Sequence, residues 1–321
     1  MRGNLTSAAM VAIALMCGAA SAQQYPARPV RFLVPNPPGG GTDLVARIVS
    51  QKVSERWGLN LVVDNRPGAG GIIAVEVAAK AAPDGYTLLM AHFPLAITVN
   101  IAKVSFDPVR DFAPVILLAT TQNALAVNPA VPAKSVNELI ALAKSKPGEL
   151  RYASGGNGTS MHVSAELFAL MAGVSLTHVP YKGAGPALVD LISGQVQASF
   201  VSVPAVAPHI KSGKVRGLAV TGSRRSPLVP DLPTLSEAGL RGYGSEQWYG
   251  VLVPRATPRA IVERLNRDFA WALGQPDTRS RLQDSGFEIA SSTTEASFGA
   301  FLASEIAKWA AVVKKANIRS D

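Results

Sequence analysis

Three consecutive glycines, Gly39, Gly40 and Gly41, stand in "NPPGGGTD", and a second small-residue run, Ser154 to Thr159, reads "SGGNGT". Neither run contains a lysine or an arginine. Glycine tolerates positive φ and lets a ligand approach the backbone closely, so several N–H groups can converge on one anion. A helix starting directly after such a loop adds roughly half a positive charge at its N-terminus. The chemistry on offer is therefore capture of an anion by neutral donors. Phosphate is the usual occupant, but "NPPGGGTD" lacks the G-K-[ST] ending of a P-loop and does not follow G-x-G-x-x-G spacing. A carboxylate fits better. A structural turn competes with this reading for either loop alone; two loops in separate parts of the chain argue for a shared ligand.

Asp43, after the first loop, has two readings: a helix N-cap accepting from backbone N–H groups, which is preferred, or a direct or water-relayed ligand contact. Catalytic constellations are poor. The histidines His92, His162, His178 and His209 show no metal-ligand spacing, and no metal or cofactor is expected. Ser160 and His162, two apart on a helix, do not face each other, and no G-x-S-x-G elbow is present. Glu166, Asp190 and Glu246 read as helix or loop surface. His162, in a first helical turn, reads as a structural hydrogen-bonder before a base. Trp248 and Tyr249 read as core packing before pocket lining. Nothing nominates a reaction.

The elements that must carry these loops alternate short apolar strands with helical patterns, the signature of an α/β protein built on open sheets. "VRFLVP" is a strand, followed by a helix from about Asp43 that Gly58 closes. "LNLVVDN" is the next strand, "PGAGGIIAVEVAAKA" turns into a helix, and "PDGYTLLMA" is a turn and a strand. "KSVNELIALAKSKPG" carries a capping-box pattern from Ser135 to Glu138. "LRYASGGNGTSMHVSAELFALMAG" and "LTHVPYKGAGPALVDLISG" repeat strand, glycine loop and helix, with Pro186 suited to a first helical turn. "QASFVSVPAVAPHIKSGKV" and "RGLAVT" are expected to supply further strands, and two helices are expected around 258–273 and 293–315. "PVILLATTQNALAVNP" and "GLRGYGSEQWYGVLVP" look like passages between two lobes. Lobe one would then comprise 23–126 plus 246–321, and lobe two 127–245. In open α/β sheets ligands sit beyond the carboxyl ends of the strands, which places a cleft at the joint.

Residues 1–22 are expected to be a signal peptide: Arg2 supplies the charge, Ala8 to Ala20 is apolar, and Ala20-Ser21-Ala22 fits the cleavage rule. Lipid attachment at Cys17, the only cysteine, is the competing idea, disfavoured by Met16 before it. The mature chain from Gln23 would have no thiol chemistry and no disulfide. No later apolar run looks long enough to span a bilayer. The formal charge of +9 comes without a nucleic-acid recognition motif or aromatic ladder, so it reads as a solvated surface that speeds encounter with anions. No nucleic-acid partner is expected.

The blocks "YPARPVRFLVPNPPGGGTDLVAR", "NRPGAGGIIAVEVAAKAAPDGYTLLM", "YASGGNGTSMHVSAELF", "VPYKGAGPALVDLISGQVQ", "PHIKSGKVRGLAVT" and "WYGVLVP" occur in order. Together they closely resemble the substrate-binding receptors of tripartite tricarboxylate transporters, the Bug receptors, over essentially the whole mature chain. The resemblance implies a periplasmic, non-enzymatic, two-lobed binding protein of type II-like architecture, each lobe an open sheet flanked by helices. The protein would act as a monomer that closes on a small organic acid and presents it to membrane permease subunits. Carried over, lobe one would contribute Pro38, Gly39, Gly40, Gly41, Thr42 and Asp43, with His92 and Phe93 from a later strand end. Lobe two would contribute Ser154, Gly155, Gly156, Asn157, Gly158, Thr159 and His162, then Tyr181 and Lys182, then Val201 and Ser202. The chain departs from the family pattern at Asn36, where an aromatic is usual, at Phe93-Pro94, and at Val201, where an acidic or polar residue is usual. A less polar distal pocket is expected from this, favouring an aromatic or aliphatic acid over citrate. The rival readings are a ligand-sensing subunit of a signalling system and a secreted hydrolase using His162 or His92.

Overall fold

A computed structural model describes residues 25–290, 294–316 and 318. The expected signal peptide and Cys17 lie outside the described residues.

Strands β1 (Val30–Val34), β2 (Leu61–Asn65) and β3 (Thr87–His92) pair in parallel in the order β2-β1-β3. β1 reads as a continuous apolar run because both of its faces are covered: Phe32 and Leu33, neighbours pointing to opposite sides, are both fully buried. Helix α1 (Gly41–Trp57) crosses from β1 to β2, burying Val45, Ile48, Val49 and Val53. It ends as expected at Gly58, whose left-handed φ of 65° lets its N–H reach the Ser54 carbonyl. A short 3-10 turn (Ala69–Gly71) and helix α2 (Ile72–Ala79) lead on to β3, and α3 (Pro94–Ile101) leaves it.

β4 (Phe112–Val127) is one strand of 16 residues. From Phe112 to Gln122 it pairs antiparallel with β9 (Glu246–Pro254), which also pairs with β3. From Asn123 to Val127 it pairs with β7 (Ala198–Ser202) on one side, and β8 (Arg216–Val220) takes the other side from Ala124. β7 continues to β5 (Arg151–Ser154) and β6 (Thr177–Pro180), while β10 (Glu288–Ile289) pairs with β4 at Ala119 and Thr120. Both halves are open sheets, yet they form a single ten-stranded sheet because β4 belongs to both. At about 3.3 Å per residue its roughly 50 Å accommodates two sets of partners in succession. Register shifts between Pro114 and Ile116 and between Leu117 and Ala119 turn it on the way.

The remaining helices are α4 (Val136–Ser145), α5 (Ser160–Ala172), α6 (Ala184–Ser193), α7 (Val203–Lys211), α8 (Arg259–Gly274), α9 (Pro276–Asp284) and α10 (Glu295–Ala316). Three sequence expectations need correction. "QASFVSVPAVAPHIKSGKV" is strand β7 followed by helix α7, not strands alone, because Pro204 falls in the first turn, where its fixed φ favours the helix. The two C-terminal helices are joined by a third, α9, which opens on Pro276. The Ser135–Glu138 capping box is half formed: Ser135 Oγ accepts from Glu138 N, but the Glu138 carboxylate reaches Lys134 N instead of Ser135 N.

α10 is, by length and mean hydropathy, long and apolar enough to cross a bilayer, which the sequence reading had not recognised. Here one face of it packs on the core. Phe298, Leu302, Trp309, Val312 and Val313 are buried, and it packs on α3, β4 and α5. It thereby touches both halves, and Phe93, Phe168, Phe200 and Trp309 belong to one buried cluster.

Candidate ligand site

The first glycine loop is held by Asp43, which accepts from a backbone N–H as the preferred reading expected, but not from the N-cap position. The N-cap of α1 is Gly40, with no side-chain cap. Asp43 is the third helical residue, and its Oδ2 reaches back to accept from Gly39 N at 3.0 Å and from Arg47 Nε at 2.8 Å. Its Oδ1 accepts from Asn65 Nδ2 at 2.9 Å, and the same amide bonds the Asn36 carbonyl. Burial pushes the Asp43 pKa up, but the bonds from Arg47, Gly39 and Asn65 outweigh this and hold it below its ordinary value. The carboxylate is a clamp on the loop, and the Gly39 N–H is turned inward by it.

A cavity of about 380 Å³ opens over the start of α1. Its walls come from the loop between Asn36 and Thr42, from His92 to Pro94 at the end of β3, and from Gln247 and Tyr249 of β9. No charged side chain lines it. His92 and Tyr249 are register partners across the antiparallel β3–β9 pair, so their side chains share one face. His92 is 6% exposed and Tyr249 5%. Among the described residues neither side chain has a hydrogen-bond partner. Burial alone pushes the His92 pKa down to about 4 and raises that of Tyr249, so both are neutral near pH 7.

Strand alternation sends Trp248 the other way, into an apolar core with Phe298 and Phe301. Phe93 is buried with its ring edge-on to Trp309 at 5.1 Å. The apolar part of the cavity wall is mainly proline: Pro37, Pro38 and Pro94.

The second loop is braced by three side chains. Ser154 Oγ accepts from Gly156 N at 3.1 Å and lies 2.6 Å from His178 Nε2. His162 Nδ1 accepts from Gly158 N at 3.1 Å, which requires that nitrogen to be unprotonated. Thr159 caps α5 by accepting from His162 N and donates to the Gly156 carbonyl at 2.7 Å. His178 stacks on His162 at 4.0 Å and on Tyr152 at 4.9 Å, and Tyr152 donates to Glu166 at 2.5 Å. Burial lowers the His178 pKa. His162 is thus a structural hydrogen-bonder, as the sequence favoured. Gly155 sits in a tight place: a Cβ there would lie 3.2 Å from Ala184 N and from the Gly183 carbonyl carbon, where the next loop abuts.

The sequence-predicted residues fall into two groups. Pro38, Gly40, Gly41, Thr42, His92 and Phe93 border the cavity, while Gly39 and Asp43 support it from behind. Ser154 to Thr159 and His162 stand on the other half, and Gly158 approaches Ile97 and Ile101 of α3. The Tyr181 hydroxyl is taken by Asp190 at 2.6 Å, and Lys182 is exposed. Val201 is placed away from the cavity: it is 1% exposed and packs in a core cluster with Ala124 and Val220, because its side of β7 faces inward. Ser202 pairs with Asn123 where β4 changes partners.

That changeover is polar and buried. Ser164 Oγ meets Ser245 Oγ at 2.7 Å, Asn123 Nδ2 lies 3.4 Å from Ser164 Oγ, and Asn123 N donates to Thr221 Oγ1 at 2.9 Å. Gln247, and His178 beneath the second loop, were missed as site residues, and Tyr249, read as core packing before pocket lining, borders the cavity. Alternation along "EQWYGV" could have exposed Gln247 and Tyr249; His178 depends on the pairing of β5 with β6, which no local pattern reveals.

An open α/β fold with two halves sharing one strand, and glycine loops opening helices on each half, defines a solute-binding receptor of the periplasmic binding protein type. The chain belongs to the tripartite tricarboxylate transporter receptor family: residues 45–318 match the family model described as "Tripartite tricarboxylate transporter family receptor". This is a family of receptors, not of enzymes, and its receptors are periplasmic. Protein BugT of Bordetella pertussis is 37% identical over 95% of this chain and 94% of its own length. The solved structure "R. palustris Rpa4515 with adipate" is 38% identical, with a TM-score of 0.77 over 92% of this chain and 99% of that one. "MatC (Rpa3494) from Rhodopseudomonas palustris with bound malate" is 35% identical, with a TM-score of 0.74 over 90% and 100%.

Proposed function

We propose that this protein captures a small organic carboxylate in the cleft between its halves and delivers it to the membrane permease subunits of a tripartite transporter. The observation that carries the reading is the 380 Å³ cavity at the N-terminus of α1, bordered by glycine amides and neutral polar side chains with no charged side chain among them. Such a site suits an anion whose charge is met by helix-terminal N–H groups. The adipate and malate in the titles of two related structures agree with that chemistry.

The carboxylate lies against Gly40, Gly41 and Thr42, with His92 beside it. The Ser154 to Thr159 loop, braced by His162, approaches from the other half. The lobes are 25–122 plus 246–318 and 123–245, the expected boundary at 126 moving back to where β4 changes partners, and closure bends the chain at the two strand passages near Gln122–Asn123 and Ser245–Glu246. The prolines of the cavity wall favour an aliphatic or aromatic acid over citrate. The protein works as a monomer in the periplasm after removal of residues 1–22.

Thermal unfolding of the mature protein against adipate, malate, citrate, benzoate and amino acids tests the reading. A ligand at 100 times its dissociation constant adds about 2.7 kcal/mol of stability. A shift with one acid that disappears with its amide supports the carboxylate site. No shift with any acid refutes it.

A further inference from the structure

We propose that Tyr249, the register partner of His92, is a specificity-determining residue whose hydroxyl donates a hydrogen bond to the ligand carboxylate over the first turn of α1. The inference rests on the carboxylate reading above and adds to it the group that separates an ionised acid from its uncharged analogues. Three observations carry it. Tyr249 borders the cavity with a side chain only 5% exposed, and among the described residues no group bonds its hydroxyl. A hydroxyl that opens to a cavity from an otherwise buried side chain, and has no protein partner there, is available to a ligand atom.

Its position is also defined. The Tyr249 ring stands edge-on to Phe287 at 5.4 Å, and its oxygen lies 3.2 Å from where a Cβ on Gly41 would be. Glycine at 41 leaves the hydroxyl directly over the start of the helix, where the orphan first-turn amides point. Two donors of different kind, backbone N–H and phenolic O–H, thus face the same small volume.

The electrostatics select the protonation states. Burial raises the Tyr249 pKa, so the phenol keeps its proton beside an anion. His92 stays neutral and offers one N–H, which suits the second carboxylate oxygen. Asp43, the nearest acid in sequence, is already held by Gly39, Arg47 and Asn65. With no cationic side chain on the cavity wall, neutral donors carry the recognition. A charge-assisted bond from Tyr249 then distinguishes a carboxylate from a carboxamide more sharply than the backbone amides do alone.

The test uses isothermal titration of the mature protein with whichever acid among adipate, malate, citrate and benzoate gives the largest wild-type melting shift, and with the matching carboxamide. Tyr249→Phe removes no bond from the unliganded protein, so its melting temperature should stay at the wild-type value. Its dissociation constant for the acid should rise about 10- to 100-fold, the worth of a hydrogen bond to a charged group. The preference for acid over amide should shrink with it, which a merely structural role for the ring would not cause. Gly41→Ala keeps the tyrosine but crowds its hydroxyl, and should lower the same preference. If the wild type binds an acid and Tyr249→Phe binds it equally well, the donor role is overturned while the carboxylate reading stands. If the wild type binds none of the four acids, both fall together.

Discussion

His92 offers a direct measure of how dry and unpaired the cavity floor is. The ring is 6% exposed, has no hydrogen-bond partner among the described residues, and has its pKa pushed by burial from an ordinary 6.5 down to about 4. The folded state therefore resists a proton that the unfolded chain accepts. The stability this contributes is fully present above the unfolded pKa and is lost as pH falls toward the folded one. With values of 6.5 and 4, the loss between pH 8 and pH 4.5 is about 2.5 kcal/mol, and full titration approaches about 3.4 kcal/mol. His92→Phe removes the titration and breaks no hydrogen bond. Urea unfolding of the wild type and variant at pH 7.5 should give equal stabilities to within about 1 kcal/mol, the scale of a tolerated shape-conserving swap. At pH 4.5 the variant should be the more stable by about 2.5 kcal/mol. Other titrations, including those of His178 and Asp43, occur in both proteins and cancel in the difference. Parallel pH profiles would refute the reasoning, because they would mean that the ring is solvated or paired.

Replacing Asp43 with alanine leaves Gly39 N, Arg47 and Asn65 without their acceptor, which should cost about 1–3 kcal/mol by chemical denaturation and weaken acid binding. Asp43 has its pKa lowered, so its contribution to wild-type stability is lost as pH falls from its ordinary value of 3.8 through the folded one; the alanine variant should lack that acid limb. A Cβ at Gly40 meets nothing within 4 Å and the backbone there has an ordinary φ of −82°, so the fold of Gly40→Val should persist while the side chain closes the cavity; calorimetry should find no binding. Gly156→Val places a branched residue at a φ of 121°, with an expected strain of about 1–3 kcal/mol, and should also abolish binding in a protein that still folds. Normal affinity in either glycine variant would remove that loop from the site.

Much of the fold was legible because local patterns carried it. The period of α1 and its glycine stop, the cap at Ser135 and the long β4 passage are properties of contiguous residues. The misreadings share a cause. Pro204 can begin a helix or end a strand, and only packing against β7 and β4 decides. Asp43 looked like a cap because sequence does not show that Gly40 already occupies that position.

The glycine loops, the absence of lysine within them and the family blocks were all determined by the sequence alone, since residue type sets backbone freedom and charge. What only the tertiary structure decided is which donors remain for a ligand. Asp43, Ser154 and His162 take the amides of Gly39, Gly156 and Gly158 inward, while β3 and β9 make His92 and Tyr249 register partners, with no hydrogen-bond partner for either among the described residues. Hydrogen bonds are satisfied by whatever lies within about 3 Å. That neighbourhood is made by residues as far apart in the chain as His92 and Tyr249, so spacing along the sequence cannot contain it.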